Sequence, residues 1–278
     1  MTLFIQSLGE VADRYDAIVF DQWGVLHDGS RPYPGAVACL EALSDSDHRL
    51  AVLSNSGKRS LSNLERISNM GFRPDLLEFV MTSGEALWLD IKNDKINETR
   101  LFPIERAKGD ADGWSGGIDI EFTISLEDAE AILLMGLPDG NTIEDWRDLL
   151  SKARQTGLPL YCSNPDIASP RADGLVVSPG ALAHEYQDQG GTVRFYGKPH
   201  RPVFDALKSK LGADRLLMVG DSLDHDIAGA HFAGWDSVLV QGGLHADDFK
   251  ASSRKQTLER LVREKNCPQP TYTIGTLQ

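Results

Sequence analysis

The chain has 278 residues and a formal net charge of −13, with 28 Lys and Arg against 41 Asp and Glu. Hydrophobic residues make up 41% and charged residues 25%, ordinary values for a globular protein that exclude a disordered or fibrous chain. The acidic balance disfavours nucleic acid and anionic membranes as partners, because both are held by cationic side chains. At roughly 150 residues per domain, the length predicts two domains.

Three further features bear on where the protein works. No apolar run approaches the roughly 20 residues of a membrane span. The first residues lack a basic leader and a small-residue cleavage site, so no secretion signal is predicted. Cys39, Cys162 and Cys267 have no paired spacing for zinc or redox work, and are predicted to be small buried hydrophobic residues in a reducing cytoplasm.

Short apolar runs alternate with helix-like segments along the chain. The predicted strands of the first domain are Ala17–Phe20, Leu50–Leu53, Phe79–Met81, Val193–Tyr196, Leu216–Val219 and Ser237–Val240. The predicted helices Ser60–Met70, Pro202–Leu211 and Asp224–Ala233 each end directly before a glycine, which can supply the left-handed residue that stops a helix. Continuous apolar strands of this length are typical of a parallel sheet covered on both faces. The pattern therefore predicts a doubly wound α/β domain.

The middle of the chain has a different pattern. Lys92–Gly117 is polar and Gly-rich and is predicted to be a loop. A second α/β block follows, with predicted elements Ile118–Ile124, Ala131–Gly136, Thr142–Thr156, Leu158–Cys162 and Pro179–Gln187. The first pattern resumes at Val193, so the block is interpreted as an inserted domain, which a loop tip can accept. Gly242–Gly243 is predicted to be a plain turn, and helix Ser252–Lys265 and strand Tyr272–Ile274 are predicted to close the sheet.

Polar side chains follow four of the predicted strands of the first domain. Asp21 follows the first strand, Ser54 the second, Lys198 the fourth and Asp221 the fifth. Ligands of open parallel sheets bind outside the carboxyl ends of the strands, so these side chains are expected to share one edge. Two carboxylates can hold Mg²⁺, and one of them can attack phosphorus while a hydroxyl and an ammonium hold the phosphoryl oxygens.

A set of ordered motifs carries a resemblance to a known family. The motifs are DQWGVLHDG with the following PGA, then LSNSGK, TSGEA, CSNPD, VSPGALA, YGKP and GDSLDHDIAGA. From Asp16 to Gly243 they resemble the haloacid dehalogenase (HAD) superfamily of phosphohydrolases. More narrowly, the chain is similar to subfamily IIA, the NagD-like branch with p-nitrophenylphosphatase-like and pyridoxal-phosphate phosphatases. The resemblance implies a Rossmann-like core with a large α/β cap inserted between the Ser54 and Lys198 motifs.

The resemblance also implies roles for individual residues. Asp21 would be the nucleophile and a magnesium ligand, with Asp221 and the backbone carbonyl of Trp23 as further ligands. Ser54 would hold the phosphoryl group, and Lys198 would neutralise charge between the nucleophile and the phosphate.

Further residues are assigned around this centre by the same resemblance. Asp226, the second acid of the last motif, is assigned to the metal site, where it would orient metal waters or Lys198. Asn55 would help to hold the phosphoryl group. Gly24 is assigned to substrate binding, as are Asn164 and Asp166 of the CSNPD motif, which lie in a cap segment that faces the active site in this branch.

The chain departs from the phosphatase pattern at Trp23. Phosphatases of this superfamily have an Asp two residues after the nucleophile, as acid for the leaving alcohol and base for the attacking water. Tryptophan cannot transfer a proton usefully, and such assistance is typically worth ~10²–10⁴ in rate. Either His27 or Asp28 substitutes, or the leaving group needs no acid, or the protein is a weak phosphatase or a binder that has lost turnover. Dehalogenases carry an aromatic residue here, but the Asp221 and Asp226 motif argues against them.

These interpretations combine into one prediction. The predicted core comprises residues 1–88 and 190–278, and the predicted cap residues 89–189. The expected activity is Mg²⁺-dependent hydrolysis of a small phosphomonoester, a sugar phosphate or nucleotide, through an aspartyl-phosphate. The alternative is a non-catalytic or weakly active phosphometabolite-binding protein on the same fold. The expected location is the cytoplasm, and a homodimer is one state to test, because relatives often pair through their caps.

Overall fold

The computed structural model describes residues 2–171 and 174–277. The chain forms two compact units. The first unit takes its residues from Met1–Ser54, Ser60–Met81 and Lys198–Gln278. The second takes them from Asn55–Arg59 and Thr82–Gly197. The predicted domain boundaries, after residue 88 and before residue 190, stay a prediction.

Strands and helices alternate through both units. The strands are β1 Leu3–Phe4, β2 Ala17–Phe20, β3 Leu50–Ser54, β4 Leu77–Thr82, β5 Arg100–Ile104, β6 Glu121–Phe122, β7 Ala131–Leu134, β8 Leu160–Cys162, β9 Ala168–Arg171, β10 Gly174–Val177, β11 Val193–Phe195, β12 Leu216–Gly220, β13 Asp236–Val240 and β14 Tyr272–Ile274. The α-helices are α1 Ala36–Asp45, α2 Ser60–Ser68, α3 Ser83–Lys92, α4 Asp110–Trp114, α5 Arg147–Gln155, α6 Pro179–Asp188, α7 Arg201–Leu211, α8 Ala228–Ala233, α9 Ala246–Ala251 and α10 Arg254–Glu264. Single 3₁₀ turns occur at Leu8–Glu10, Ala12–Arg14, Pro74–Leu76, Leu126–Asp128 and Glu144–Trp146, and a π-helical turn at Leu223–Ile227.

The first unit contains a seven-stranded sheet in the order β1-β14-β13-β12-β2-β3-β4. Its central strands β2, β3 and β12 are buried along their whole length. Their sequences are almost entirely apolar, which suits strands with helices on both faces. One face packs on α1 and α2 through Leu40, Leu43 and Ile67. A second cluster joins β13 to α10 and includes Leu239 and Leu258. The predicted Rossmann-like α/β class is confirmed.

The second unit has its own sheet, of five parallel strands in the order β11-β8-β7-β5-β6. Leu150 of α5 and Leu182 of α6 pack on Ile132 and Leu134 of β7 to form its core. Strands β9 and β10 form a separate antiparallel pair. Among the described residues, no helix is both long enough and apolar enough to cross a bilayer.

The structure corrects the predicted loop at Lys92–Gly117. This segment contains β5, which pairs with β6 and β7 inside the second sheet, and the short helix α4. Pro103 lies within β5, and its presence argued against a strand in the sequence, because the proline nitrogen cannot donate a hydrogen bond to a neighbouring strand. The acidic, Gly-rich stretch after it becomes helical because Glu105 accepts hydrogen bonds from the amides of Gly109 and Ala111.

The fourth predicted strand of the first domain belongs to the other sheet. β11 pairs in parallel with β8 of the second unit, with Val193 opposite Leu160. A short apolar run carries no information about which sheet it joins, so the sequence could not assign it. The predicted strand Ile118–Ile124 shortens to β6, and helices α1, α3 and α9 and strands β1, β9 and β10 were not predicted.

Candidate active site

Three predicted site residues stand at the carboxyl ends of adjacent strands in the first unit. Asp21 directly follows β2, Ser54 is the last residue of β3, and Asp221 directly follows β12. The register pairs Phe20 with both Val52 and Val219, so the three strands end at nearly the same level. Neighbouring parallel strands thus present these side chains at one edge of the sheet, where open α/β sheets bind their ligands.

Lys198 lies between two carboxylates. Its Nζ donates to Asp21 Oδ1 at 2.5 Å and to Asp226 Oδ1 at 2.7 Å. All three side chains are almost fully buried, with exposed fractions of 4%, 12% and 1% for Lys198, Asp21 and Asp226. The ammonium therefore fixes the position of the Asp21 carboxylate. The peptide bond between Lys198 and Pro199 is cis.

Asp226 ties Lys198 to the loop after β12. Its Oδ2 accepts hydrogen bonds from the amides of Asp221 and Ser222, at 3.1 and 3.0 Å. Its side chain packs directly on Gly220, where a Cβ would come within 2.2 Å of Asp226 Cγ. Asp226 thus holds the backbone of the Asp221 loop with one oxygen and the ammonium of Lys198 with the other.

Gly24, predicted to bind substrate, packs against the Asp221 carboxylate. Its φ is +81°, a left-handed conformation that glycine adopts without strain. A Cβ at this position would lie 1.7 Å from Asp221 Oδ2. The glycine therefore leaves the space that the Asp221 carboxylate occupies.

Burial and the charges of neighbouring side chains shift the pKa values of Asp21, Asp221 and Lys198. Desolvation raises the pKa of Asp21, Lys198 opposes that rise, and Asp226 adds to it. Desolvation and then Asp226 also raise the pKa of Asp221. Burial alone would lower the pKa of Lys198, but Asp21 and Asp226 outweigh it and raise that pKa. One buried ammonium among three buried carboxylates leaves an excess of negative charge that favours proton or cation uptake.

The acidic cluster has a donor set that suits a hard cation. Asp21, Asp221 and Asp226 each offer a carboxylate oxygen, and these oxygens lie within 4.8 Å of one another. Mg²⁺ and Ca²⁺ prefer oxygen ligands of this kind. A divalent ion would also offset the excess charge. The residues present therefore fit a divalent cation.

The side chain of Trp23 is held against the loop that follows the nucleophile. A Cβ on Gly29 would come within 2.3 Å of indole Cζ2, so the ring lies on the backbone of Gly29. The indole also meets the His27 ring edge to face, with centroids 6.0 Å apart. It remains 42% exposed. The ring is thus packed against Gly29 and His27 and offers no titratable group.

Neither predicted substitute for the missing acid has the properties of one. Asp28 accepts hydrogen bonds from Ser30 and Arg31, which hold the pKa of this carboxyl well below its usual range. His27 is fully buried and its Nδ1 accepts the Gly29 amide. Burial and then the charge of Arg66 lower the pKa of His27 to about 4. Asp28 therefore stays ionised and His27 stays neutral near pH 7.

The remaining predicted substrate residues lie in the second unit. Asn55 Nδ2 donates to Asp166 Oδ1 at 2.8 Å, and the Asp166 amide donates to Asn164 Oδ1 at 3.1 Å. Gly197 allows this packing, because a Cβ there would lie 2.4 Å from Pro165 Cδ and 2.6 Å from Asn55 Oδ1. The structure thus brings Asn55, Asn164 and Asp166 together, and joins them into one hydrogen-bonded group.

Comparisons with known proteins identify the family of the chain. The family model "Haloacid dehalogenase-like hydrolase" matches residues 18–106 and the model "HAD-hydrolase-like" matches residues 195–263, together more than half of the chain. Dihydroxyacetone phosphatase from Corynebacterium glutamicum is 27% identical over 82% of this chain and 81% of its own.

Two solved structures share the fold. A haloacid dehalogenase-like hydrolase from Brucella suis matches with a TM-score of 0.81 and 29% identity, over 99% of this chain and 100% of its own. A glycerol phosphate phosphatase from Mycobacterium tuberculosis in complex with magnesium matches with a TM-score of 0.73 and 22% identity, over 98% of this chain and 78% of its own. The chain therefore belongs to the haloacid dehalogenase-like hydrolases, and is a phosphoric monoester hydrolase.

Proposed function

We propose that this chain hydrolyses a small phosphomonoester, such as a sugar phosphate, with Asp21 as the nucleophile and Mg²⁺ as the metal. The observation that carries the proposal is the hydrogen bond from the buried ammonium of Lys198 to Asp21. Asp21 also lies close to the carboxylates of Asp221 and Asp226, and the three together could hold a cation. The named activity of the Corynebacterium relative and the magnesium complex of the Mycobacterium relative support the substrate class and the metal.

The residues of the chain carry the reaction in two steps. A carboxylate oxygen of Asp21 attacks phosphorus, the bond from phosphorus to the ester oxygen breaks, and that oxygen leaves with the electron pair as an alkoxide or phenoxide, the alkoxide taking a proton from solvent water. A water molecule then attacks the phosphorus of the aspartyl-phosphate and gives up a proton to solvent, while the bond from the Asp21 oxygen to phosphorus breaks. This step releases inorganic phosphate and restores the carboxylate. Lys198 and the Ser54 hydroxyl hold phosphoryl oxygens, as donors that are fixed before reaction.

The metal would be held by Asp21 and Asp221, with the Trp23 carbonyl as a further ligand. When bound, a divalent cation neutralises phosphoryl charge and orients the ester. Asp226 is near enough to contribute an oxygen, but its three hydrogen bonds favour a role in holding Lys198 and the Asp221 loop. Asn55, Asn164 and Asp166 are proposed to contact the substrate.

The absence of an acid at Trp23 predicts a strong dependence of turnover on the leaving group. We expect p-nitrophenyl phosphate, whose leaving group needs no proton, to turn over ~10²–10⁴ times faster than an alkyl phosphate. Trp23→Asp should raise alkyl phosphate turnover by about 10²-fold, because it supplies the proton, and should leave the aryl ester within about 10-fold. The measurement is kcat for both esters, with and without Mg²⁺.

This comparison also separates the enzyme from the alternative. Phosphate binding without turnover of either ester would support the non-catalytic binding protein. Equal turnover of aryl and alkyl esters by the unmodified chain would contradict the argument from Trp23, and would require another proton donor.

The raised carboxyl pKa values predict how pH and Mg²⁺ act on stability. Asp21 and Asp221 keep protons in the metal-free folded state to a higher pH than in the unfolded chain, where Asp titrates near 3.9. The contribution of these two carboxyls to the free energy of unfolding without metal should therefore fall as the pH rises above about 4. Mg²⁺ binds the ionised carboxylates, so it should raise the melting temperature more at about pH 8 than at about pH 5.5.

Thermal unfolding in excess Mg²⁺ and in EDTA at both pH values measures this difference. Asp221→Asn should lose the Mg²⁺-dependent shift, whereas Asp224→Asn should keep it, because Asp224 pairs with Lys265 at the surface. A shift of the same size at both pH values would contradict the prediction.

A further inference from the structure

The turn after β13 reaches the carboxylate of Asp221. The sequence predicted only a plain turn at Gly242–Gly243. In the structure the amide of Leu244 donates to Asp221 Oδ2 at 2.7 Å. The side chain of Leu244 is 65% exposed, so the contribution of this residue to the site is its backbone amide.

Gly243 is pressed against the same carboxylate. A Cβ on Gly243 would lie 2.3 Å from Asp221 Oδ2 and 2.5 Å from the carbonyl oxygen of Gly24. Real Cβ contacts essentially never come this close, and neither neighbour can move away easily. The carbonyl belongs to the backbone, and the Asp221 carboxylate is also closely packed against Gly24.

These contacts fix the rotation of the Asp221 carboxylate. Gly24 and Gly243 both lie so close to it that neither position has room for a Cβ, and the Leu244 amide holds one of its oxygens. The amide also lowers the pKa of Asp221, against the larger rise that burial and Asp226 cause. A ligand group that is already oriented loses less conformational freedom when a cation binds.

We propose that the Gly243–Leu244 turn is a positioning element for Asp221, and that it sets the affinity of the site for a divalent cation. The inference rests on the proposed function, because it takes Asp221 as a metal ligand. Groups that orient metal ligands in this way are typically worth 10–100-fold in metal affinity.

Gly243→Ala tests the proposal against Gly242→Ala. Gly242 lies in the same turn and is also tightly packed, but a Cβ there would meet Thr276 Cγ2 at 2.8 Å and the Gly275 carbonyl at 3.1 Å, away from Asp221. We expect calorimetric titration of the metal-free protein with Mg²⁺ to show a dissociation constant raised about 10–100-fold in Gly243→Ala. In Gly242→Ala it should stay within about 2-fold of the unmodified chain.

A second variant removes the hydrogen-bond donor to Asp221 and leaves Gly243 unchanged. Leu244→Pro deletes the amide hydrogen and should also weaken Mg²⁺ binding about 10-fold or more. Both variants should remain folded in EDTA, with a melting temperature that crowding or the lost hydrogen bond lowers, and should show a smaller rise in melting temperature with Mg²⁺ than the unmodified chain. The kcat of both variants, relative to that of the unmodified chain, should be higher in saturating Mg²⁺ than in limiting Mg²⁺.

The possible results separate this inference from the proposed function. Mg²⁺ affinity within about 2-fold of the unmodified chain in both folded variants would overturn the inference and leave the proposed function intact. Unfolding of both variants without Mg²⁺ would also overturn it, because the turn would then serve the fold. Failure of the unmodified chain to bind Mg²⁺ would overturn the inference and the proposed metal together. Binding without hydrolysis would overturn the proposed reaction alone.

Discussion

Asp21→Asn is expected to lower kcat for p-nitrophenyl phosphate by about 10⁴-fold or more, because an amide is a far weaker nucleophile than a carboxylate. The substitution keeps the size of the side chain, so the protein should fold as before. It also weakens the contact with Lys198, which now meets a neutral oxygen at the position of Asp21 Oδ1. Steady-state kinetics in saturating Mg²⁺ measures the loss.

The matched control for this prediction is Asp224→Asn. Asp224 belongs to the same acidic motif as Asp221 and Asp226, but its side chain is 43% exposed and pairs with Lys265. We expect kcat within about 2-fold of the unmodified chain, as is usual for surface positions. Turnover by Asp21→Asn above about 1% of the unmodified rate would contradict the nucleophilic role of Asp21.

Lys198→Met is expected to lower kcat by about 10²–10³-fold and to change the pH dependence of kcat/KM. Methionine fills the volume of the lysine stem but leaves three buried carboxylates without their ammonium. Lys198 lowers the pKa of Asp21, so its loss should raise that pKa further. The ionised nucleophile is then lost at a higher pH, and the acidic limb of the profile should move upward.

A pH–rate profile of the variant in saturating Mg²⁺ tests both effects. Lys208→Met is the control, because Lys208 is 41% exposed and pairs only with the exposed Asp214 among the described contacts. Its profile should match that of the unmodified chain. A lowered kcat in Lys198→Met with an unmoved acidic limb would show that Lys198 does not act on the protonation of Asp21.

Much of the first unit could be predicted from local pattern. The apolar runs AIVF, LAVLS and LLMVG became buried central strands because an uninterrupted apolar segment of that length has few other stable environments. Asp21, Ser54 and Asp221 were found by their position after those strands. That prediction needed only the rule that parallel strands present their carboxyl ends at one edge.

Other features depended on which segments meet in space. The sheet that β11 joins and the strand character of β5 despite Pro103 are set by pairing partners distant in sequence. Asn55 and Asp166 are 111 residues apart, so no local pattern could show their hydrogen bond. The same holds for Leu244 and Asp221, which are 23 residues apart.

The sequence by itself determined the α/β class and placed Asp21, Ser54 and Asp221 after predicted strands, because these follow from the periodicity and order of the residues. Only the tertiary structure decided that Lys198 lies between Asp21 and Asp226, and that a glycine turn orients Asp221. It also showed that burial lowers the pKa of His27 and that hydrogen bonds lower the pKa of Asp28, which disfavours both as the acid missing at Trp23. The physical reason is that side-chain distance, burial and pKa are set by neighbours that the fold, and not the local sequence, brings together.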